Sequence, residues 1–264
     1  MNPVRILGAG VTAPGLPDWP SGRAVLAGQR APAAEPLAPF RPDFLPRNER
    51  RRTTRTIKLA LQVAQQAAGE RPGRDPELAT VFASSCGDTE VAVAICRSLA
   101  QPGRPVSPIQ FHNSVHNAAA GYWSIGWGSP APSVSLGAYD GSVGAGLLEA
   151  TTQVLADGRQ VLLVAYDLPP PPPLDAIRPL ASPFAAALLL GPGGDEPGLG
   201  TVAPGGIAAG EQSACAGAEL EALRRGNPAA RSLPLLEAIA RGRSRGLRLP
   251  YAGDRQLALE YRAP

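Results

Sequence analysis

Side chains able to do nucleophilic or acid–base chemistry are few in this chain, and each sits in a recognisable local pattern. The segment Gly137-Ala138-Tyr139-Asp140-Gly141-Ser142 lies between a short apolar run and a long apolar-striped helix. A strand that turns sharply into a helix lifts one side chain to the top of a sheet, beside a helix N-terminus that stabilises an anion. Asp140 and Ser142 occupy that corner. The elbow pattern G-x-S-x-G fails around Ser142, because Asp140 stands where the first glycine belongs. A helix N-cap is the competing role for Asp140, and a short carboxylate fills it well; capping is the preferred reading over catalysis.

Other candidates are weaker. Cys86, in ASSCGD, follows a strand-like run, and a thiol near a helix N-terminus can be reactive, but no local histidine pairs with it and a structural thiol is expected. His112 and His116 lie four apart in FHNSVHNA, the spacing of a helical metal pair. No glutamate lies between them, no third ligand is evident, and Pro108 argues that His112 is in loop, so polar loop packing is expected. Gly8-Ala9-Gly10-Val11-Thr12-Ala13 fits the dinucleotide fingerprint, which requires a helix to start there. Pro14, Pro17 and Pro20 would break that helix, and the acidic residue needed about 20 positions on is represented only by Glu35, in a Pro/Ala loop. Neither cofactor nor metal is expected. Arg47, Arg50, Arg51, Arg52 and Arg55 crowd the start of a helix, against its dipole; they form either a solvated basic face or a docking patch for an acidic partner.

The elements that must position these residues can be read from apolar period. Thr54–Ala68 carries Ile57, Leu61, Ala64 and Ala68 on one face and ends at Gly69 and Pro72. Val4–Leu7, Thr80–Ser84, Ser133–Leu136, Val161–Ala165 and Phe184–Leu190 read as strands, Val4–Leu7 turning at Gly8 and Gly10. Glu90–Leu99, Asn117–Ile125 and Val143–Ala156 read as helices, Asn117–Ile125 with small residues that permit close packing. Strands alternating with helices predict an α/β domain on a largely parallel sheet. Beyond Gly191 the signal weakens to helices near Cys215–Arg225 and Leu233–Ala240 and a strand at Leu257–Tyr261, so 1–191 is the main domain and 192–264 a short α/β extension.

Bulk properties restrict the function. The net charge of +3 is too small to imply nucleic-acid binding, and Lys58 is the only lysine. Three cysteines make a poor disulfide framework, which predicts a reducing, cytoplasmic setting. No apolar run approaches the roughly 20 residues of a membrane span.

Taken in order, ILGAGVTAPG, ERRRTTRTIKLALQVAQQA, VFASSCGDTE, PIQFHNSVHNAAAGYWSIG, SVSLGAYDGSVGAGLLEATTQVLADG, VLLVAYD and SPFAAALLLG resemble successive segments of the β-ketoacyl synthases, over residues 1–191. The resemblance implies one half of a thiolase-like fold: a five-stranded, mostly parallel sheet with helices on both faces. It places Asp140 at the acyl-accepting cysteine, and a carboxylate there cannot serve as the thioester nucleophile. The family's two histidines belong to the C-terminal half, which this chain largely lacks. FHNSVHN, AYDGS and the short length look most like the ketosynthase-like subunits of aryl polyene pathways, which resemble chain-length factors. By that likeness the chain is a non-catalytic partner of an active β-ketoacyl synthase in polyene, polyketide or fatty-acyl elongation. It would pair through Val134 and Leu136 with the adjoining Tyr122 and Trp123, and Arg50, Arg51 and Arg52 would dock an acyl carrier protein. The other readings are an independent hydrolase or acyltransferase using Asp140, Ser142 or Cys86, and a carrier-protein docking module.

Overall fold

The computed structural model describes residues 1–33, 35–69, 77–194 and 198–264. In chain order the elements are β1 (Val4–Thr12), α1 (Trp19–Leu26), α2 (Arg47–Arg52), α3 (Arg55–Ala68), β2 (Ala79–Ala83), α4 (Thr89–Leu99), α5 (Pro108–Asn113), α6 (Ala118–Trp127), β3 (Ser133–Leu136), α7 (Ser142–Asp157), β4 (Val161–Asp167), β5 (Phe184–Gly191), β6 (Thr201–Ala209), α8 (Ala218–Gly226), α9 (Leu233–Arg241), β7 (Arg245–Ala252) and β8 (Arg255–Arg262).

All eight strands form one sheet in the order β3-β2-β4-β5-β1-β6-β8-β7. The α/β class is as expected, but the count of five and the parallel character are corrected. Only β2–β3 and β2–β4 run parallel; every other pairing is antiparallel. β6, β8 and β7 continue the sheet beyond β1.

β1 shows why the sequence misleads locally. Gly8 and Gly10 do not turn the chain; both lie inside a nine-residue strand. They are glycine because α3 rests its backbone on that strand: a Cβ on Gly8 would lie 2.2 Å from the Ala67 carbonyl oxygen, and one on Gly10 2.4 Å from that of Val63. The glycine pattern serves helix-on-sheet packing, not a phosphate. α3 itself is as read, with Thr54 capping the Ile57 amide and Gly69 closing it at φ 72°; Pro72 lies outside the described residues.

Helices cover both faces. α3 and α6 seal one core with Leu61, Val63, Trp123, Leu162, Val164 and Leu189. α1, α7 and α9 seal the other with Leu26, Leu147, Leu163, Leu188 and Leu236. β4 and β5, between the two cores, are buried along their whole length, which explains their continuous apolarity.

The C-terminal hairpin β7–β8 supports the inner helix α7. A Cβ on Gly141 would fall 1.8 Å from the Tyr251 carbonyl oxygen, and one on Gly144 2.3 Å from that of Pro250. Replacing Gly141 with alanine is therefore expected to cost at least about 3 kcal/mol, the upper end of ordinary overpacking, because the obstacle is backbone. Chemical denaturation of Gly141→Ala against the parent chain checks this.

Candidate functional site

The parallel strands β3, β2 and β4 deliver their C-terminal ends to one place, where ligands of open α/β sheets commonly bind. Ser84, Ser85 and Cys86 follow β2, Gly137 to Gly141 follow β3, and Asp167 ends β4.

At the β3–α7 corner a single turn of 3₁₀ helix spans Tyr139–Gly141. Tyr139 adopts φ 51°, a left-handed conformation rare for an aromatic residue and characteristic of strained functional corners. Its ring is exposed, and the Arg178 guanidinium lies 3.6 Å above the ring centroid. Arg178 Nη2 donates to Asp140 Oδ1 at 2.5 Å. The capping role read for Asp140 is corrected: α7 begins from Gly141 with no side-chain cap, since the 3₁₀ turn carries Asp140 outside the helix and the guanidinium takes its carboxylate.

Ser142 is buried and committed. Its hydroxyl donates to the Tyr139 carbonyl at 2.7 Å and accepts from the Ala138 amide at 3.0 Å, so it pins the turn that strains Tyr139. Beneath the corner, Val143, Leu147, Leu163, Leu235 and Leu236 line an apolar gap of about 20 Å³, room for one water and not for an acyl chain.

Asp167 ends the VLLVAYD run and was not among the candidate site residues. It is 1% exposed. Its Oδ1 accepts from Ser84 Oγ (2.9 Å), Ser85 N (2.8 Å) and Ser85 Oγ (2.9 Å), while Oδ2 has no hydrogen-bond partner. Burial pushes its carboxyl up to about 6, against the lowering pull of the Ser85 and Ser84 hydrogen bonds and Arg178. Arg178 also has no sequence signal: it sits in a loop after the proline run, 38 residues from Asp140.

The histidines do not come together as a metal pair. Pro108 opens α5 at its first turn, where proline is tolerated, so His112 lies in a helix and not in the loop expected; it packs edge-on to Tyr122 at 6.0 Å. His116 Nε2 is 3.2 Å from the Ser84 carbonyl oxygen. Among the described residues no cluster of three metal-ligating side chains occurs.

Of the interface candidates, Val134 and Leu136 are half-buried on β3. Tyr122 and Trp123 belong to the chain's own core: Tyr122 donates to Asn113 Oδ1, and Trp123 stacks on Trp127 and meets Phe44 edge-on. Burial removes both from direct contact with any partner. In the arginine cluster, Arg50 pairs with Asp43, Arg52 with Glu49 and Arg55 with Glu90. Arg47 and Arg51 stay exposed.

The family model for the beta-ketoacyl synthase N-terminal domain matches residues 22–245, and the chain belongs to that family. No curated protein sequence matches it. Among solved structures, it is similar to a chain of a ketosynthase in complex with its chain length factor from Xenorhabdus doucetiae, with 24% identity, TM-score 0.75, and 98% of this chain and 100% of the other covered. It is similar to a chain of the ishigamide ketosynthase/chain length factor at 14% identity and TM-score 0.73, covering 100% and 99%. Against a ketosynthase from module 6 of the bacillaene synthase of Bacillus subtilis 168, 90% of this chain matches 46% of the other, at 15% identity and TM-score 0.57. At these identities the likeness is one of fold: thiolase-like, and about half of the bacillaene ketosynthase chain. Among the described residues no helix is long and apolar enough to cross a membrane.

The buried acid gives a pH signature. The folded carboxyl keeps its proton to about 6, whereas the unfolded one releases it near its ordinary value of about 3.9. Between those limits the native state binds more protons, so this carboxyl's contribution to stability is fullest below about pH 4 and is lost as pH rises through 6, by roughly 2–3 kcal/mol. Thermal melts of Asp167→Asn between pH 4 and 7 are expected to lose most of that slope.

Proposed function

We propose that this chain is a non-condensing, chain-length-factor-like subunit that pairs with an active β-ketoacyl synthase in polyene, polyketide or fatty-acyl chain elongation. The observation that carries the reading is the content of the β3–α7 corner: a strained tyrosine and an aspartate held by Arg178. Neither side chain can carry a growing acyl group as a thioester.

Pairing through β3 has physical support. β3 is a terminal strand of the sheet, and an open strand edge invites another chain. Around it Ile109, Phe111, Val115 and Ile125 expose apolar surface, and nothing lies within 4 Å of a Cβ placed on Gly121 of α6, so a partner helix could approach closely. Val134 and Leu136, packed toward the α7 side of the sheet, form the contact, while Tyr122 and Trp123 stiffen the α6 side of the same margin. An acyl carrier protein is the second partner. Its acidic surface would meet Arg51 and Arg47 first, because Arg50 and Arg52 already serve Asp43 and Glu49. Three unpaired thiols suit a cytoplasmic setting.

Val134→Asp or Leu136→Asp is expected to abolish co-purification with the cognate ketosynthase while circular dichroism of the lone chain is retained; unchanged co-purification refutes the interface. Incubated alone with acyl and malonyl thioesters, the chain is expected to form no carbon–carbon bond, and condensation by the isolated chain would overturn the whole reading. Reversing the charge at Arg51 is expected to weaken carrier-protein capture and leave the heterodimer intact.

A further inference from the structure

The corner lacks a thiol, but a thiol lies beside it. Cys86 is partly exposed just after β2, and the Arg178 guanidinium, which holds Asp140, lies close enough to feel its charge. Ser85 Oγ stands 3.3 Å from Cys86 Sγ and 2.9 Å from Asp167 Oδ1. A hydroxyl has one proton to give. When Ser85 donates it to the carboxylate, the serine oxygen is left to accept from the thiol, and a path for the thiol proton runs from Cys86 through Ser85 to Asp167. Two buried polar atoms of this cluster have no partner, Asp167 Oδ2 and Arg178 Nε. Such orphans call for a ligand, a water or a catalytic role.

The three cysteines differ sharply in setting. Cys96 is exposed on α4, Cys86 is half-covered in the polar cluster, and Cys215 is buried. Burial pushes the Cys215 thiol up to about 12, with Glu237 and Glu221 adding to the effect, so that residue stays protonated and inert. Only Cys86 combines access with a hydrogen-bonded route to a carboxylate and an adjacent guanidinium.

A nucleophile, a proton acceptor and a fixed cation within one cluster are the parts of an acyl-transfer site. We propose that Cys86 is an acyl-accepting thiol that takes its acyl group from an acyl thioester. Sγ forms a bond to the carbonyl carbon as the donor's carbon–sulfur bond breaks. The Cys86 proton passes through Ser85 to Asp167 and returns to the departing thiolate, and nothing is oxidised or reduced. Arg178 faces the negative charge that develops on the carbonyl oxygen. Ser85 and Asp167 are positioning residues, since they act through the thiol. The step forms no carbon–carbon bond, so it is compatible with a non-condensing subunit and independent of it.

The test is to incubate the full chain with an octanoyl thioester of N-acetylcysteamine and follow acylation of each cysteine by peptide mass spectrometry. Acylation of Cys86 is expected to run at least about tenfold faster than that of the more exposed Cys96. Cys86→Ser should remove the adduct, and Ser85→Ala should slow it about tenfold and move its pH profile upward, with the fold retained by circular dichroism and Cys96 labelling unchanged. No adduct, an adduct equally fast on Cys96, or full-rate Cys86 acylation with an unmoved pH profile in Ser85→Ala overturns the proposal. Asp167→Asn, whose carboxamide cannot take the proton, gives the same reading if Ser85→Ala misfolds. Cys86→Ser leaves ketosynthase pairing unchanged, so failure here is distinguishable from failure of the subunit reading.

Discussion

The arrangement at the strand ends depends on how closely the first turn of α7 lies against the backbone of β7. Gly141 and Gly144 meet the Tyr251 and Pro250 carbonyl oxygens at distances that admit no side chain. That contact fixes where α7 starts, hence where the 3₁₀ turn must fall and why Tyr139 is driven to positive φ. Ser142 then locks the strained turn from within, and Arg178 locks it from without by covering the tyrosine ring and holding Asp140. The hairpin β7–β8 of the same chain thus covers the first turn of α7.

Much of this was legible in the residues. The apolar period of α3, the uninterrupted runs of β4 and β5, and the strand–turn–helix at 133–157 follow directly from spacing. β6 and β7 were not legible. β6 carries Pro204, Gly205 and Gly206 at a register shift, and β7 has Pro250 beside another. Irregular pairing breaks the two-residue alternation that marks a strand. The antiparallel majority was hidden for a related reason, because a fully buried strand looks the same whichever way its neighbour runs.

At the site, the corner could be located but not its chemistry. Asp140 was visible as an acid at a turn, whereas its guanidinium partner comes from a proline-rich loop with no period. Asp167 sat at the end of an apolar run, and its lone unpaired oxygen emerges only when Ser84 and Ser85 are seen to crowd the other. A serine pair after one strand and an acid ending the adjacent parallel strand is the signal that could have found it. Tyr122 and Trp123 teach the opposite lesson: large aromatic residues beside an edge strand are more easily core than contact.

The two margins of the sheet are treated unequally. Along β7 the Ser213 amide donates to the Arg248 carbonyl, and Ser213 Oγ receives the Arg248 amide; the charged side chains of Arg245 and Arg248 face outward there. Among the described residues no such bonds are made along the open side of β3. Were a partner to add along β3, the blunted β7 margin would stop the addition at a pair and prevent a filament.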